Sequence, residues 1–230
     1  MIEIKEWDEL PKEMKTKEVR AYYDILKLKK KELEKKRMFD IVMASILLTC
    51  ALPLLIIIAI AVAADSKGGI FFLQERVTTY GRRFKIIKFR TMVKDAHKLG
   101  TGVTVKNDAR VTKVGAFLRK YRLDELPQLI NIIWGDMSFV GTRPESVKYV
   151  KQYSKEMYAT LLLPAGVTST ASIRYKDEEN LLENAQDADR VYVEEILPKK
   201  MEYNLEDIEK FSLARDIRIM IDTVLAVLGS

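Results

Sequence analysis

The sequence has very few residues of the kinds that build disulfides, zinc sites and histidine-dependent catalytic sites. Its 230 residues include one cysteine, Cys50, and one histidine, His97. A disulfide within the chain and a Cys/His zinc site are therefore excluded. A Ser-His-Asp triad would depend on His97 alone, which argues against that class of hydrolase. A cleavable signal peptide is not expected, because the first residues are charged and the apolar run begins late.

Charge is plentiful but unbalanced. Lys and Arg number 39 against 33 Asp and Glu, which leaves a formal net charge of +6. An excess of positive charge suits nucleic acid, an anionic membrane surface or phosphorylated substrates. Because the chain also contains a long apolar run, we expect a membrane surface and phosphorylated substrates as partners, and no nucleic acid.

The apolar run covers residues 41–64, which carry no charge and are bounded by Asp40 and Asp65. As a helix it would be about 36 Å long, and it passes the threshold of ~20 apolar residues for a membrane-embedded helix. A buried core helix rarely lacks any polar face over such a length. The run therefore predicts insertion into a membrane.

Pro53 lies near the middle of this run, where it removes a backbone donor and clashes with the preceding turn. Lysine and arginine are dense on both sides of the run, and such clusters prefer the cytoplasmic side of a membrane. A re-entrant hairpin broken at Pro53 would return both ends to the same side. An ordinary proline-kinked spanning helix is the alternative.

By composition the chain divides into three parts. Residues 1–38 form a charged helical extension, with a helix expected over residues 13–37 along the membrane surface or against the main domain. A solvated charged helix without a partner is the alternative. Residues 39–66 form the membrane helix-break-helix. We expect residues 67–230 to form one cytoplasmic domain. Its C-terminal amphipathic helix, from Ile208 to Leu228, lies at the membrane interface or packs against the core.

The predicted fold class is mainly α with a small β-hairpin or sheet, with the re-entrant membrane hairpin and amphipathic interfacial helices around one cytoplasmic domain. Strands are expected near residues 70–73 and 84–90, on either side of a turn at residues 78–81. The polar stretch at residues 94–113 is typical of a functional loop.

Two clusters of charge are candidates for chemistry. Asp124 and Glu125 precede Pro127, which is tolerated in the first turn of a helix, so the spacing alone favours Asp124 as a helix N-cap. The same helix start would also suit a phosphate. Lys88 and Arg90 lie two residues apart on a predicted strand, so their side chains would project to the same face. There they could bind phosphates. The spacing alone favours the alternative that both are solvated charges at the edge of the sheet.

Taken in order, several motifs resemble those of the bacterial monotopic phosphoglycosyl transferases, also called sugar transferases or undecaprenyl-phosphate sugar phosphotransferases. The resemblance covers roughly residues 36 to 223. It is carried by Lys36-Arg37-Met38-Phe39-Asp40, Pro53, Phe72-x-Gln74-x-Arg76, Phe84-x-x-x-Lys88-Phe89-Arg90-Thr91-Met92, Leu123-Asp124-Glu125-Leu126-Pro127-Gln128-Leu129 and Gly135-Asp136-Met137-Ser138-x-Val140-Gly141-x-Arg143-Pro144.

This resemblance implies a small-form enzyme of the bacterial inner membrane, with a re-entrant helix in the inner leaflet and its catalytic domain on the cytoplasmic face. Such an enzyme moves a sugar 1-phosphate from a UDP-sugar to polyprenyl (undecaprenyl) phosphate with Mg²⁺ and releases UMP. It would start a glycan for exopolysaccharide, capsule or glycoprotein assembly.

The resemblance also implies roles for single residues. Asp124 would attack the β-phosphate to form a covalent phosphosugar-aspartyl intermediate and would bind the metal. Glu125 would assist the lipid phosphate by proton transfer. The remaining substrate-binding candidates are cations that offset phosphate charge, namely Lys88, Arg90, Arg119 and Arg143.

Three positions depart from the family pattern: Leu52 where Ser often precedes the proline, Thr142 for the first Pro of Gly-Pro-Arg-Pro, and Thr78 for a common Gly. Two other functions remain open. One is a non-catalytic, membrane-tethered basic scaffold. The other is a membrane-spanning protein with an ordinary metal-dependent glycosyl transferase domain, which would release UDP instead of UMP.

Overall fold

The computed structural model describes residues 4–96, 108–176, 178, 181 and 187–229, and this part of the chain is mostly helical. Its helices are α1 Lys17–Leu28, α2 Lys30–Asp65, α3 Lys113–Lys120, α4 Gln128–Trp134, α5 Val147–Val150, α6 Thr170–Arg174, α7 Ala188–Val191, α8 Leu197–Glu209 and α9 Leu213–Leu228. Its strands are β1 Phe71–Val77, β2 Arg83–Phe89, β3 Met137–Val140 and β4 Ala165–Thr168. Most of the predicted loop at residues 94–113 and the single histidine, His97, lie outside the described residues.

The apolar run is part of one long helix, α2, which contains Pro53. Of the described helices, α2 is the one long and apolar enough to cross a membrane by length and composition. Both of its ends bind the same domain. Near its start, the Asp40 carboxylate accepts a hydrogen bond from Ser138 Oγ at 2.8 Å. At its end, the Asp65 carboxylate accepts one from the Val114 amide at 3.1 Å. The break at Pro53 and the path of α2 relative to a membrane stay predictions.

The predicted hairpin is confirmed: β1 and β2 pair antiparallel, with Gln74 opposite Ile86. Tyr80 at the turn has a positive φ of 58°.

A second sheet was not predicted. β3 pairs in parallel with β4, which begins at Ala165, in a segment whose sequence indicates only a turn after an apolar stretch. Strands of four residues are too short to show the alternation that identifies a strand.

The N-terminal extension packs against the main domain, one of the two predicted positions. Val19, Tyr23 and Leu26 of α1 are almost completely buried, and each side chain of this size stabilises the fold by about 1.5–3 kcal/mol. The Tyr22 hydroxyl donates to the Glu156 carboxylate at 2.8 Å. The single helix expected over residues 13–37 is instead two, because the chain turns at Lys29 between α1 and α2.

The C-terminal segment also differs at its start from the prediction. The helix expected from Ile208 is interrupted, and α9 begins at Leu213 because Ser212 caps it by accepting from the Arg215 amide. One face of α9 is buried, with Ile219 in the core. Another face exposes large apolar side chains, namely Ile217, Ile221, Val224, Leu225 and Leu228.

Candidate active site

The two acidic residues lie on a short 3-10 turn, Leu123–Glu125, between α3 and α4. Arg122 enters this turn with a positive φ of 56°, and Leu123 and Leu126 pack against a core cluster that includes Leu118. The N-cap prediction for Asp124 is wrong: α4 starts at Gln128, and Pro127 occupies the capping position. Packing of the two leucines, which local spacing does not show, turns both carboxyl groups inward, where each residue is less than 10% exposed.

Glu125 is held by cations from two other segments. Lys88 Nζ on β2 lies 3.0 Å from Glu125 Oε1, and Arg143 Nη1, from the loop after β3, donates to Oε2 at 3.2 Å. Burial alone would raise the pKa of Glu125, but the charges of Arg143 and Lys88 outweigh it and hold that pKa well below its usual range. Glu125 is therefore an ionised, cation-bound carboxylate at neutral pH.

Asp124 is the opposite case. Its carboxylate makes no hydrogen bond or ion pair with a described residue, even though Asp124 is buried and only 7% exposed. Burial and the neighbouring charge of Glu125 raise its pKa, and the charges of Lys88, Arg119 and Arg143 oppose this rise only in part. A carboxylate that is unpaired and more basic than usual is a better nucleophile than one whose oxygens are already bound.

Arg143 reaches Glu125 because the loop after β3 is pressed against β4. The Gly141 amide donates to Thr168 O at 3.0 Å, and the Gly166 amide donates to Thr142 O at 2.9 Å. A Cβ on Gly166 would come within 2.2 Å of the Gly141 backbone. The two glycines of this contact therefore allow the close approach that places Arg143.

Arg90 and Arg119 have different surroundings. Arg90 is 8% exposed and donates to two backbone carbonyls at the end of α2, Val62 O at 3.3 Å and Ser66 O at 2.7 Å. The edge-charge alternative is wrong for Arg90, which is buried. It is also wrong for Lys88, which is 21% exposed and pairs with the buried Glu125. Arg119 lines the same cavity, and its charge lowers the pKa of Asp124. The phosphate-binding role of Lys88, Arg90, Arg119 and Arg143 stays a prediction.

The acidic pair faces an open cavity of about 1620 Å³. All four predicted cations line it. An apolar wall is formed by Leu47 and Ala51 of α2, Phe72 of β1, Leu129 of α4 and Val227 of α9. A cavity with charged and apolar walls can hold a substrate that carries both a phosphate group and an apolar chain.

Four further lining residues were not predicted as site residues. Arg76, Glu145, Tyr192 and Lys200 come from four separate segments and line the same cavity. Arg76 and its motif were noted in the sequence, but its position became visible only with the fold. Glu145 follows Arg143-Pro144 directly, and this adjacency was the one signal that could have identified it.

A metal site must be built around few protein ligands. Among the described residues, no group of three or more His, Cys, Asp or Glu side chains could hold a metal ion. Mg²⁺ commonly binds through one or two carboxylates together with substrate phosphates. The unpaired carboxylate of Asp124 fits that arrangement, and Mg²⁺ stays a prediction.

Comparison with known proteins adds independent information. The model of the family described as bacterial sugar transferase matches residues 31–230. A UDP-glucose:undecaprenyl-phosphate glucose-1-phosphate transferase of Escherichia coli K12 is 39% identical over 194 residues, covering 82% of this chain and 39% of the relative.

Two further relatives differ in length. A UDP-N-acetylgalactosamine-undecaprenyl-phosphate N-acetylgalactosaminephosphotransferase of Aeromonas hydrophila is 35% identical, over 84% of this chain and 43% of the relative. The uncharacterized sugar transferase EpsL of Bacillus subtilis is 33% identical, over 85% of this chain and 88% of the relative. The chain thus spans about two fifths of the length of the long relatives and most of the short one.

Proposed function

Because this chain belongs to the bacterial sugar transferase family, we propose that it transfers a sugar 1-phosphate from a UDP-sugar to undecaprenyl phosphate. The names of the Escherichia coli and Aeromonas hydrophila relatives support this class of substrates. The observation that carries the proposal is the asymmetric acidic pair: Glu125 is bound by cations, whereas the adjacent Asp124 is buried and pairs with no described residue. The reaction would start a glycan for exopolysaccharide, capsule or glycoprotein assembly.

In the first step, an oxygen of Asp124 attacks the β-phosphorus of the UDP-sugar. A bond forms between that oxygen and phosphorus, and the bond from phosphorus to the bridging oxygen breaks, so that UMP leaves with the electron pair. The product on the protein is a phosphosugar-aspartyl acyl phosphate, which is a mixed anhydride. Lys88 and Arg143 flank the carboxyl pair and are positioned to offset the charge of the phosphoryl group.

In the second step, a phosphate oxygen of the lipid attacks the same phosphorus and Asp124 leaves as a carboxylate. Dividing the transfer in this way replaces one difficult step with two easier ones. The low pKa of Glu125 supports a role as the counter-ion that keeps Lys88 and Arg143 in place. Proton transfer by Glu125 stays a prediction. A Mg²⁺ ion held by Asp124 and the donor phosphates would supply further positive charge.

The lipid must reach this site from a bilayer. We propose that α2 enters the inner leaflet of the cell membrane, breaks at Pro53 and returns, so that the catalytic domain stays on the cytoplasmic face. The contacts at Asp40 and Asp65 support this, because they hold both ends of α2 to one domain. Leu47 and Ala51 of α2 line the apolar wall of the cavity, where an isoprenoid chain would lie.

The direct test is nucleotide release from a panel of UDP-sugars incubated with the chain and a short polyprenyl phosphate. We expect UMP and a lipid-linked sugar pyrophosphate from at least one donor. Release of UDP would instead indicate an ordinary glycosyl transferase. Release of neither nucleotide from any donor would favour the non-catalytic scaffold.

A further inference from the structure

Arg76 is a cavity-lining arginine whose charge the proposed reaction does not yet use. It lies near the end of β1, where the Val77 amide donates to Glu145 O at 3.0 Å and so fixes β1 beside the loop that carries Arg143. Of the described arginines that line the cavity, Arg76 is the one without a hydrogen bond or ion pair to a described residue. The other arginines have partners within the protein.

The surroundings of Arg76 leave its charge poorly compensated. Burial lowers the pKa of its guanidinium, and the charge of the nearby Arg143 lowers it further, against the opposing charge of Glu145. Glu145 is itself engaged, because it accepts a short hydrogen bond from the Tyr192 hydroxyl and lies 4.0 Å from Lys200 Nζ. Lys200 in turn pairs with Glu178 at 2.7 Å. An additional anion in the cavity would stabilise the Arg76 guanidinium.

We propose that Arg76 binds the phosphate that leaves with the nucleotide, the α-phosphate of the UDP-sugar. This inference rests on the proposed function. Lys88 and Arg143 both contact the Glu125 carboxylate, and in the proposed reaction they serve the phosphoryl group attacked by Asp124. The α-phosphate shares an oxygen with that group, so it needs a cation one position further along the cavity wall. Arg76 lines the same cavity as Arg143 and is near enough for the charge of Arg143 to act on it, so we assign it to that phosphate, which its planar fork of donors suits.

The test is equilibrium binding of UMP and of uridine to the full chain in detergent or nanodiscs, measured by calorimetry. Arg76→Gln should weaken UMP binding about tenfold or more, the loss expected for a charge-assisted contact, and leave uridine binding unchanged. Arg76→Lys should retain part of the UMP affinity, because it keeps the charge but not the fork. The matched control is Arg83→Gln on the neighbouring strand, where the side chain is 61% exposed and pairs with Glu75.

Three outcomes would overturn the inference. One is UMP binding by Arg76→Gln as tight as in the unchanged chain. Another is an equal loss of UMP and uridine, which would indicate a contact with the nucleoside or a general loss of structure. The third is an unchanged chain that binds UMP no better than uridine. If that chain still transfers a sugar phosphate from a UDP-sugar, the proposed function stands and only the assignment of Arg76 fails. A chain without any such transfer contradicts the proposed function itself.

Discussion

Lys36 Nζ on α2 lies 2.5 Å from the Asp216 carboxylate on α9, and both side chains are less than 10% exposed. This buried ion pair joins residues 180 positions apart. The adjacent Arg37 donates to Ile132 O at 2.6 Å and to Ile133 O at 2.9 Å near the end of α4. The charged residues just before the apolar run therefore fasten α2 to the catalytic domain.

Removal of one partner of this pair should destabilise the fold. Lys36→Met leaves a buried carboxylate without its cation, and we expect a loss of about 3 kcal/mol in the free energy of unfolding. The double variant Lys36→Met/Asp216→Leu should recover much of that loss, because neither charge remains buried. Denaturant titration in detergent would measure both variants. Lys35→Met, at an exposed position one residue earlier, is the control, and an equal loss in that variant would contradict the explanation.

Asp124→Asn should abolish transfer. An amide cannot form the acyl phosphate, so neither UMP release nor a covalent adduct is expected. Intact-mass measurement after incubation with a UDP-sugar, without the lipid, would detect the adduct on the unchanged chain and its absence in the variant. Asp24→Asn, on the exposed face of α1, should behave like the unchanged chain. Full transfer by Asp124→Asn would refute the assignment of the nucleophile.

The same variant should be more stable than the unchanged chain at neutral pH. The pKa of Asp124 is raised in the folded state, so the folded protein binds the proton more tightly than the unfolded chain does. Stability therefore falls as the pH rises through the folded pKa, and the loss persists at neutral pH. Each pKa unit by which the folded value exceeds the unfolded value lowers the free energy of unfolding at neutral pH by about 1.4 kcal/mol. Thermal unfolding of Asp124→Asn should show a higher midpoint at pH 7, with a gain that shrinks as the pH approaches 4. A lower midpoint at pH 7 would show that the ionised form is stabilised in the site.

Some features of this fold could be predicted from the sequence, and others could not. Alternation and turn residues predicted the β1–β2 hairpin, because a hairpin depends on near neighbours. The inward orientation of Asp124 depends on the left-handed Arg122 and on leucine packing, which override the local N-cap pattern. Lys36 appeared in the sequence as one of several flanking charges. Its partner Asp216 follows only from the packing of α9 on α2.

Glu125 should stabilise the fold through its charge. Its pKa is lowered in the folded state, so its contribution is fully present above the usual glutamate pKa and is lost as the pH falls through the lower folded value. Glu125→Gln leaves Lys88 and Arg143 without their shared anion, and we expect a loss of about 3 kcal/mol at pH 7. The free energy of unfolding of this variant should also lack the part of its pH dependence that comes from the titration of Glu125. Denaturant titrations over a pH series would compare it with Glu75→Gln, which removes an exposed partner of Arg83. Equal losses in the two variants would contradict a special role for Glu125.

The membrane path of α2 can be decided by labelling its two ends. Lys30 and Lys67 are exposed residues at the start of α2 and just beyond its end. Single cysteines at these positions, in a Cys50→Ser background, report which side of the membrane each end occupies. We expect a membrane-impermeant maleimide to modify neither cysteine from outside intact cells and both after the inner membrane is opened. This follows because Asp40 and Asp65 bind both ends to one domain, and because Pro53 weakens the helix between them. Modification of one cysteine from outside and the other only after opening would show a spanning helix. In that case the lipid phosphate would have to reach Asp124 by a different route.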